Sequence, residues 1–267
     1  MTFEEEFNQL FGHVDLEKLK IKVVCTDVAK INEHHGYTRK YHLDMYKGYL
    51  EQGIRLILIF SDEWEHKKPQ VLNFLKSALG VYERKIYARL CECREVPKKE
   101  AEKFLVEQHM QGPRRGSLFY IGLYFQEELL GVCSFGSHHR LGHPEAILDR
   151  LCFKDGVQVI GGASRMFKRG IEWCKSKGYP KILSWSDSRF SVGHLYNVLG
   201  FNKDDQMGPD YSYVLLADPS APRRSKQSNK KSCIGAREGQ TERERTIELG
   251  RVRVWDLGKI RWSYNLN

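Results

Sequence analysis

QVIGGASRMFKRGIEW (Gln158–Trp173) and KILSWSDSRFSVGHLYNVLGF (Lys181–Phe201) are the stretches whose reading decides the fold. In the first, the small residues Gly161, Gly162 and Ala163 allow a tight turn and a close backbone approach to a ligand. The pattern that follows predicts a helix from about residue 164 to 177. The unpaired N–H groups of its first turn, with the positive end of the dipole behind them, form a seat for a pyrophosphate. The same residues also satisfy a plain turn and helix N-cap. In the second stretch, Leu195, Tyr196 and Leu199 fall at helical spacing, and Gly200 is placed as the C-cap.

Gln158-x-x-Gly161-x-Ala163 followed by Leu195-Tyr196-x-x-Leu199-Gly200-Phe201 resembles the Gcn5-related N-acyltransferase (GNAT) superfamily. The resemblance implies an α/β (α+β) fold, with a mixed central sheet flanked by helices. It implies acetyl-CoA or another acyl-CoA as cofactor, its pyrophosphate held by Gln158, Val159, Ile160, Gly161, Gly162, Ala163 and Ser164. It also puts Tyr196 near the thioester sulfur, as the acid toward the leaving thiolate. The alternative, read from spacing, is a core aromatic beside Leu195 and Leu199.

The pattern around these motifs predicts further elements. RKIYARLCECREV (84–96) reads as a first strand, and VPKKEAEKFLVEQHMQG (96–112) as a helix with Pro97 near its start and Gly112 past its end. SLFYIGLYFQEELLGVCSFGSH (117–138) reads as a hairpin, ILDRLCF and KILSWSD as strands, and YSYVLLA (211–217) as the last strand. Tyr120 and Tyr124 stand either in the core or ready to stack on a base. SFGSHHRLGH reads as a loop whose His138, His139, Arg140 and His143 either contact an acceptor, a His serving as base, or form a solvated basic surface.

Ser184-Trp185-Ser186-Asp187-Ser188-Arg189 followed by Gly193-His194-Leu195-Tyr196 resembles phage Mom-like DNA-modification proteins. That resemblance implies transfer to an amine on a DNA base. Asp187 would accept a proton from the acceptor or orient it, and Arg189 would contact a phosphate or the cofactor. Ser184 and Ser186 give one face of their strand a small, polar character suited to a cleft. Asp187-Ser188 also fits a simple strand-ending turn.

Upstream, GYTRKYHLDMYKGYLEQG (36–53) reads as a helix, IRLILIF (54–60) as a buried strand, and SDEWEHKKPQVLNFLKSALG (61–80) as a helix closed by Gly80. Tyr41-His42-Leu43 and Glu51 to Trp64 resemble a very-short-patch-repair-like (Vsr-like) nuclease module of phage homing-endonuclease-like proteins. Asp27 has no clear second carboxylate beside it, and Asp62, Glu63 and Glu65 suit a solvated first turn. Residues 1–82 are therefore expected to be a degenerate nuclease-derived module that no longer holds a metal.

Residues 83–217 are the expected GNAT-like domain. Residues 218–246 are read as a basic, flexible linker whose Arg223, Arg224, Lys230 and Lys231 contact phosphates. RVRVWDL and KIRWSYNL within 247–267 are read as a terminal hairpin, its cations set beside Trp255, Trp262 and Tyr264.

The chain has 267 residues, a net charge of +9 and a pI near 9.1, which favours a polyanionic partner, here DNA. Its seven cysteines form no CxxC pair and read as mostly buried thiols of a reducing compartment. No apolar run reaches the length of a membrane span, and the acidic start TFEEEF does not read as a secretory signal. A soluble, cytoplasmic protein is expected. The leading function is acyl transfer to a DNA-base amine. The alternative is a DNA-binding, homing-endonuclease-like protein with a non-catalytic GNAT-like domain.

Overall fold

The computed structural model describes residues 2–31, 37–140, 143–218 and 221–266, without the side chains of His139, Arg140 and His143. The chain begins with α1 (Phe3–Phe11), α2 (Leu16–Leu19), β1 (Ile21–Thr26), α3 (Tyr41–Glu51), β2 (Arg55–Phe60), α4 (Ser61–His66) and α5 (Lys68–Leu79). Then come β3 (Arg84–Tyr87), β4 (Glu92–Glu95), α6 (Lys98–Gln108), β5 (Ser117–Phe125), β6 (Glu128–Arg140), β7 (His143–Phe153) and β8 (Val157–Ile160). After α7 (Gly162–Ser176) follow β9 (Lys181–Asp187), α8 (His194–Val198), β10 (Asn202–Met207) and β11 (Tyr211–Leu215). The last elements are β12 (Arg224–Ser225), α9 (Lys231–Ile234), α10 (Glu242–Glu248), β13 (Arg251–Trp255) and β14 (Lys259–Asn265).

These elements form two compact units. One comprises residues 1–67, 187–192 and 206–259, and the other residues 68–186, 193–205 and 260–267. The units do not follow the sequence-based boundaries, because each is assembled from three separated segments.

The second unit carries most of a seven-stranded sheet of order β10-β14-β9-β7-β6-β5-β4. β4 to β7 are antiparallel neighbours, and β7 lies parallel to β9. The β5–β6 turn is only Gln126 and Glu127, both at positive φ (50° and 64°), the conformation a two-residue hairpin loop demands. α7 lays Met166, Gly170 and Cys174, four residues apart, onto the core formed with Leu123, Cys133, Phe135 and Ala146. A Cβ on Gly170 would sit 2.0 Å from the Phe135 ring, so that glycine sets how closely α7 lies on the sheet. Tyr120 and Tyr124 are core residues over α6, their hydroxyls on Glu102 and Glu100.

Several expectations are corrected here. The single strand expected over 84–96 is broken by a 3-10 turn at Ala88–Leu90 into β3, which pairs with β8, and β4, which joins the large sheet. SFGSHHR is not a loop, because β6 runs on to Arg140 against β7. YSYVLLA does not complete the large sheet: β11 lies in a three-stranded sheet with β12 and β13. The completing strand is β14, so the two strands of the expected terminal hairpin sit in different sheets.

The first unit holds the parallel pair β1–β2, joined through α3 as a parallel pair requires. Five of the six residues of β2 are buried, and Leu56, Leu58 and Phe60 pack with Tyr46, Val214 and Val254. Within the expected flexible linker, residues 221–246 are ordered, with α9, the start of α10 and buried Asn229, Ile234 and Thr246. Its polar composition hides a capping box, Thr241 with Glu244, and an Arg245 side chain that donates to the Ile234 carbonyl. The solvated first turn expected at Asp62 and Glu63 is buried instead, both carboxylates being ion-paired to arginines. Asp27 caps the N–H of Ala29. No helix among the described residues is long and apolar enough to cross a membrane.

Candidate functional site

The N-terminus of α7 is set by β8. Pairing with β3 fixes β8 up to Ile160, and Gly161 (φ 78°) then turns the chain into the helix. The helix starts at Gly162, two residues earlier than the pattern predicts, and no side chain caps it. Its first-turn N–H groups are therefore left for a ligand or solvent. Each glycine has a distinct reason. Gly161 supplies the left-handed conformation, and a Cβ there would meet only Ala88 at 3.8 Å. A Cβ on Gly162 would press to 2.8 Å on Phe153 beneath the helix. Val157 and Val159 point into the core, whereas Gln158 is half-buried and Ile160, Gly161 and Ser164 are exposed. Val159 can thus contribute only its backbone to a ligand, and Ala163 is partly packed on the core.

A second feature lies where β7 and β9 part. Their parallel ladder joins Ala146 to Ile182 and Ile147 to Leu183. One residue further, the Leu148 carbonyl accepts from the Ser184 hydroxyl, 2.9 Å. The register between β6 and β7 also shifts there, leaving Asp149 as an extra, bulged residue. Asp149 is buried against Arg114 and the Ser117 hydroxyl, both at 2.6 Å.

The phenol of Tyr196 on α8 lies 2.9 Å from the same Ser184 oxygen. Ser184 has one proton, and with that proton donated to the Leu148 carbonyl Tyr196 donates to Ser184, the Trp185 carbonyl at 3.4 Å being its second, longer acceptor. Burial raises the Tyr196 pKa, keeping the phenol protonated at neutral pH. Its ring stacks on Trp262 of β14, with centroids 5.0 Å apart and planes 4° from parallel. Trp262 in turn donates from its indole nitrogen to Ser186, 2.9 Å. Gly193, at the start of α8, leaves room for that indole: a Cβ there would lie 2.1 Å from it. Sequence reading missed Trp262 as the support of Tyr196. The available signal was Gly193 three residues before the tyrosine, together with the strand alternation of KIRWSYN.

The remaining candidates divide as follows. Ser186 is buried and accepts from Trp262, which makes it part of the support for Tyr196. Asp187 belongs to the first unit and is ion-paired with Arg189, 3.3 Å. Arg189 does not face a phosphate. It is buried and also bonds both oxygens of Glu63 at 3.0 Å. Arg223 likewise is not a phosphate contact, because it grips Asp62 through two hydrogen bonds of 2.7 Å and approaches Glu63 at 3.3 Å. Burial opposes the charge on Glu63, but Arg189 and Arg223 overcome it and lower its pKa. These arginines answer buried carboxylates that the sequence does not connect to them. His138 is half-buried on β6, with its ring 6.4 Å from Trp185. The side chains of His139 and Arg140 lie outside the described residues. Arg224, Lys230 and Lys231 are exposed on the first unit.

No curated protein matches the sequence. Among solved structures, a GNAT family acetyltransferase from Elizabethkingia anophelis with acetyl-CoA bound is similar at 12% identity and a TM-score of 0.38, over 66% of this chain and 98% of that one. Naa50 of Arabidopsis thaliana in complex with the bisubstrate analogue CoA-Ac-MVNAL is similar at 10% identity and TM-score 0.39, over 66% and 99%. An acetyltransferase of the GNAT family from Streptococcus pneumoniae is similar at 13% identity and TM-score 0.37, over 66% and 99%. Residues 84–201, which span the Gly161 turn and the Tyr196 helix, match the sequence model of the Acetyltransferase (GNAT) family.

Proposed function

We propose that this chain is an N-acyltransferase that uses an acyl-CoA, with the uncapped N-terminus of α7 as the cofactor's pyrophosphate seat. The observation that carries the reading is Gly161. It is left-handed and open above its Cα, and it stands before an uncapped helix start inside the segment that matches the family. Backbone N–H groups there suit a pyrophosphate in charge and geometry. An acyl-CoA, when bound, supplies its acyl group as a thioester, whose C–S bond breaks as the C–N bond to an acceptor amine forms.

Tyr196 supplies the proton for the departing sulfur, and the proton that the acceptor amine loses as its C–N bond forms restores the phenol through solvent. Its phenol is kept protonated by burial and is held by Ser184 and Trp262, and rotation about its C–O bond re-aims the proton from Ser184. Asp187 is taken up by Arg189, so we assign it to the framework rather than to the acceptor.

For the acceptor we infer an amine on a DNA base. The net charge of +9 and the Mom-like segment Ser184 to Arg189 followed by Gly193 to Tyr196 support this finer reading. The base would have to leave its stack to reach the site.

Calorimetry with acetyl-CoA tests the core of the reading. Wild type is expected to bind, Gly161→Glu to lose binding while still melting cooperatively, at a lower temperature because residue 161 is left-handed, and Tyr196→Phe to bind equally while losing about 100-fold or more in turnover. Absence of binding to wild type would leave the second reading, a DNA-binding chain with an inactive GNAT-type unit.

A further inference from the structure

In the sheet β12-β11-β13 of the first unit, Val214 and Val254 face the apolar core. Strand alternation and register therefore put Tyr211, Tyr213, Arg251, Arg253 and Trp255 on the other face, where Tyr213 is itself buried and Trp255 packs in part against that core. On that face Arg224 and Arg253 flank Tyr213 as cross-strand neighbours, and Trp255 flanks Tyr211. The Tyr211 and Trp255 rings meet edge-on with centroids 4.7 Å apart. The Arg253 guanidinium lies 4.7 Å from the centre of the Tyr211 ring, and the Lys226 ammonium 5.1 Å. Tyr211, Arg253 and Trp255 are each partly open to solvent, and Arg224 and Lys226 are exposed.

Positive charge is concentrated next to these rings. Burial and the neighbouring charges of Arg224 and Arg245 lower the Arg251 pKa. Arg251 donates to the Asn229 side-chain oxygen at 2.7 Å, while its Nε is shut from solvent with no hydrogen-bond partner among the described residues. Arg245 shares its carboxylate, Glu248, with Arg237. Residues 221–253 hold ten Lys and Arg against four Glu, so most of the chain's excess charge is concentrated there. Like charges drawn together cost free energy that an anion beside the exposed Arg224 and Lys226 lowers.

We propose that this face binds a single-stranded nucleic acid, with backbone phosphates on the exposed Arg224 and Lys226 and a base stacked on Tyr211 beside Trp255. Aromatic rings standing on a sheet among cations read unstacked bases, which a paired duplex does not offer. The inference uses only the first unit and does not rest on the acyl-transfer reading.

The test is fluorescence anisotropy of the full chain with a labelled oligothymidine of about 20 nucleotides, at about 50 and about 200 mM salt. Wild type is expected to bind, more weakly at the higher salt. The double substitution Arg224→Glu with Lys226→Glu lies on exposed side chains and is expected to weaken binding at least about tenfold and flatten the salt dependence. Tyr211→Ala is expected to weaken binding to oligothymidine but not to an abasic strand of equal charge. No binding by wild type, equal binding by the double variant, or capture of acidic-lipid vesicles that the oligonucleotide does not displace would each overturn the proposal. Acetyl-CoA calorimetry on the same samples separates the two readings: oligonucleotide binding without acetyl-CoA binding removes the transferase reading and leaves this one standing.

Discussion

At the scale of single residues, the decisive groups are buried polar side chains held by partners far away in sequence. Arg189 answers Glu63 and Asp187, so its removal strands Asp187 and leaves the buried Glu63 with Arg223 alone. Arg189→Met is expected to lower stability by about 3–5 kcal/mol, read as a fall in the urea midpoint at neutral pH. His42 makes a pH prediction. Burial first, and the charge of Arg189 second, lower its pKa to about 4. Its Nε2 is 2.8 Å from the Thr26 hydroxyl, and its Nδ1 is buried without a partner among the described residues. The folded pKa lies below the unfolded value of about 6.5, so the unfolded chain takes up a proton first as pH falls. This contribution to stability is complete above pH about 6.5 and is lost between there and pH about 4. Urea titrations across that range should show a wild-type decline that His42→Gln reduces; parallel curves would refute the assignment.

At the scale of elements, the close approach of α7 to the sheet is set by residues that lack side chains. Gly170 lies against the Phe135 ring, and Gly162 against Phe153. Gly170→Val is expected to lift the helix and destabilise by about 1–3 kcal/mol. The same shift moves the α7 N-terminus, so, with the cofactor seat proposed there, acetyl-CoA affinity should fall along with the melting temperature, although residue 170 is two turns away. These elements were legible in sequence because their signals are local. The helical stripe of α7, the glycine turn before it and the alternation of β5, β6 and β9 are written within a few residues of each other. The broken first strand was not legible, since its 3-10 turn at Ala88–Leu90 keeps the same alternating composition. Nor was the ordered segment 221–246, whose stabilising contacts are caps and ion pairs rather than an apolar stripe.

At the scale of the molecule, the chain leaves and re-enters each unit. β14, the last strand, lies inside the seven-stranded sheet between β9 and β10 and carries the Trp262 that supports Tyr196. A chain ending at residue 217, the boundary the sequence suggests, therefore lacks an interior strand. It is expected to be insoluble or to melt without a cooperative transition, whereas the full chain melts cooperatively. A soluble, acetyl-CoA-binding truncation would show that β14 is dispensable. Sequence by itself determined the α/β character, the Gly161 turn and the Tyr196 helix, because each depends on backbone preferences and periodicity among near neighbours. Only the tertiary structure decided that Arg189 and Arg223 serve buried carboxylates, that β11 and β14 lie in different sheets, and that Ser184 and Trp262 hold Tyr196. Those outcomes depend on which distant groups must satisfy one another's charge, hydrogen bonds and shape once water is excluded, and no local pattern records that pairing.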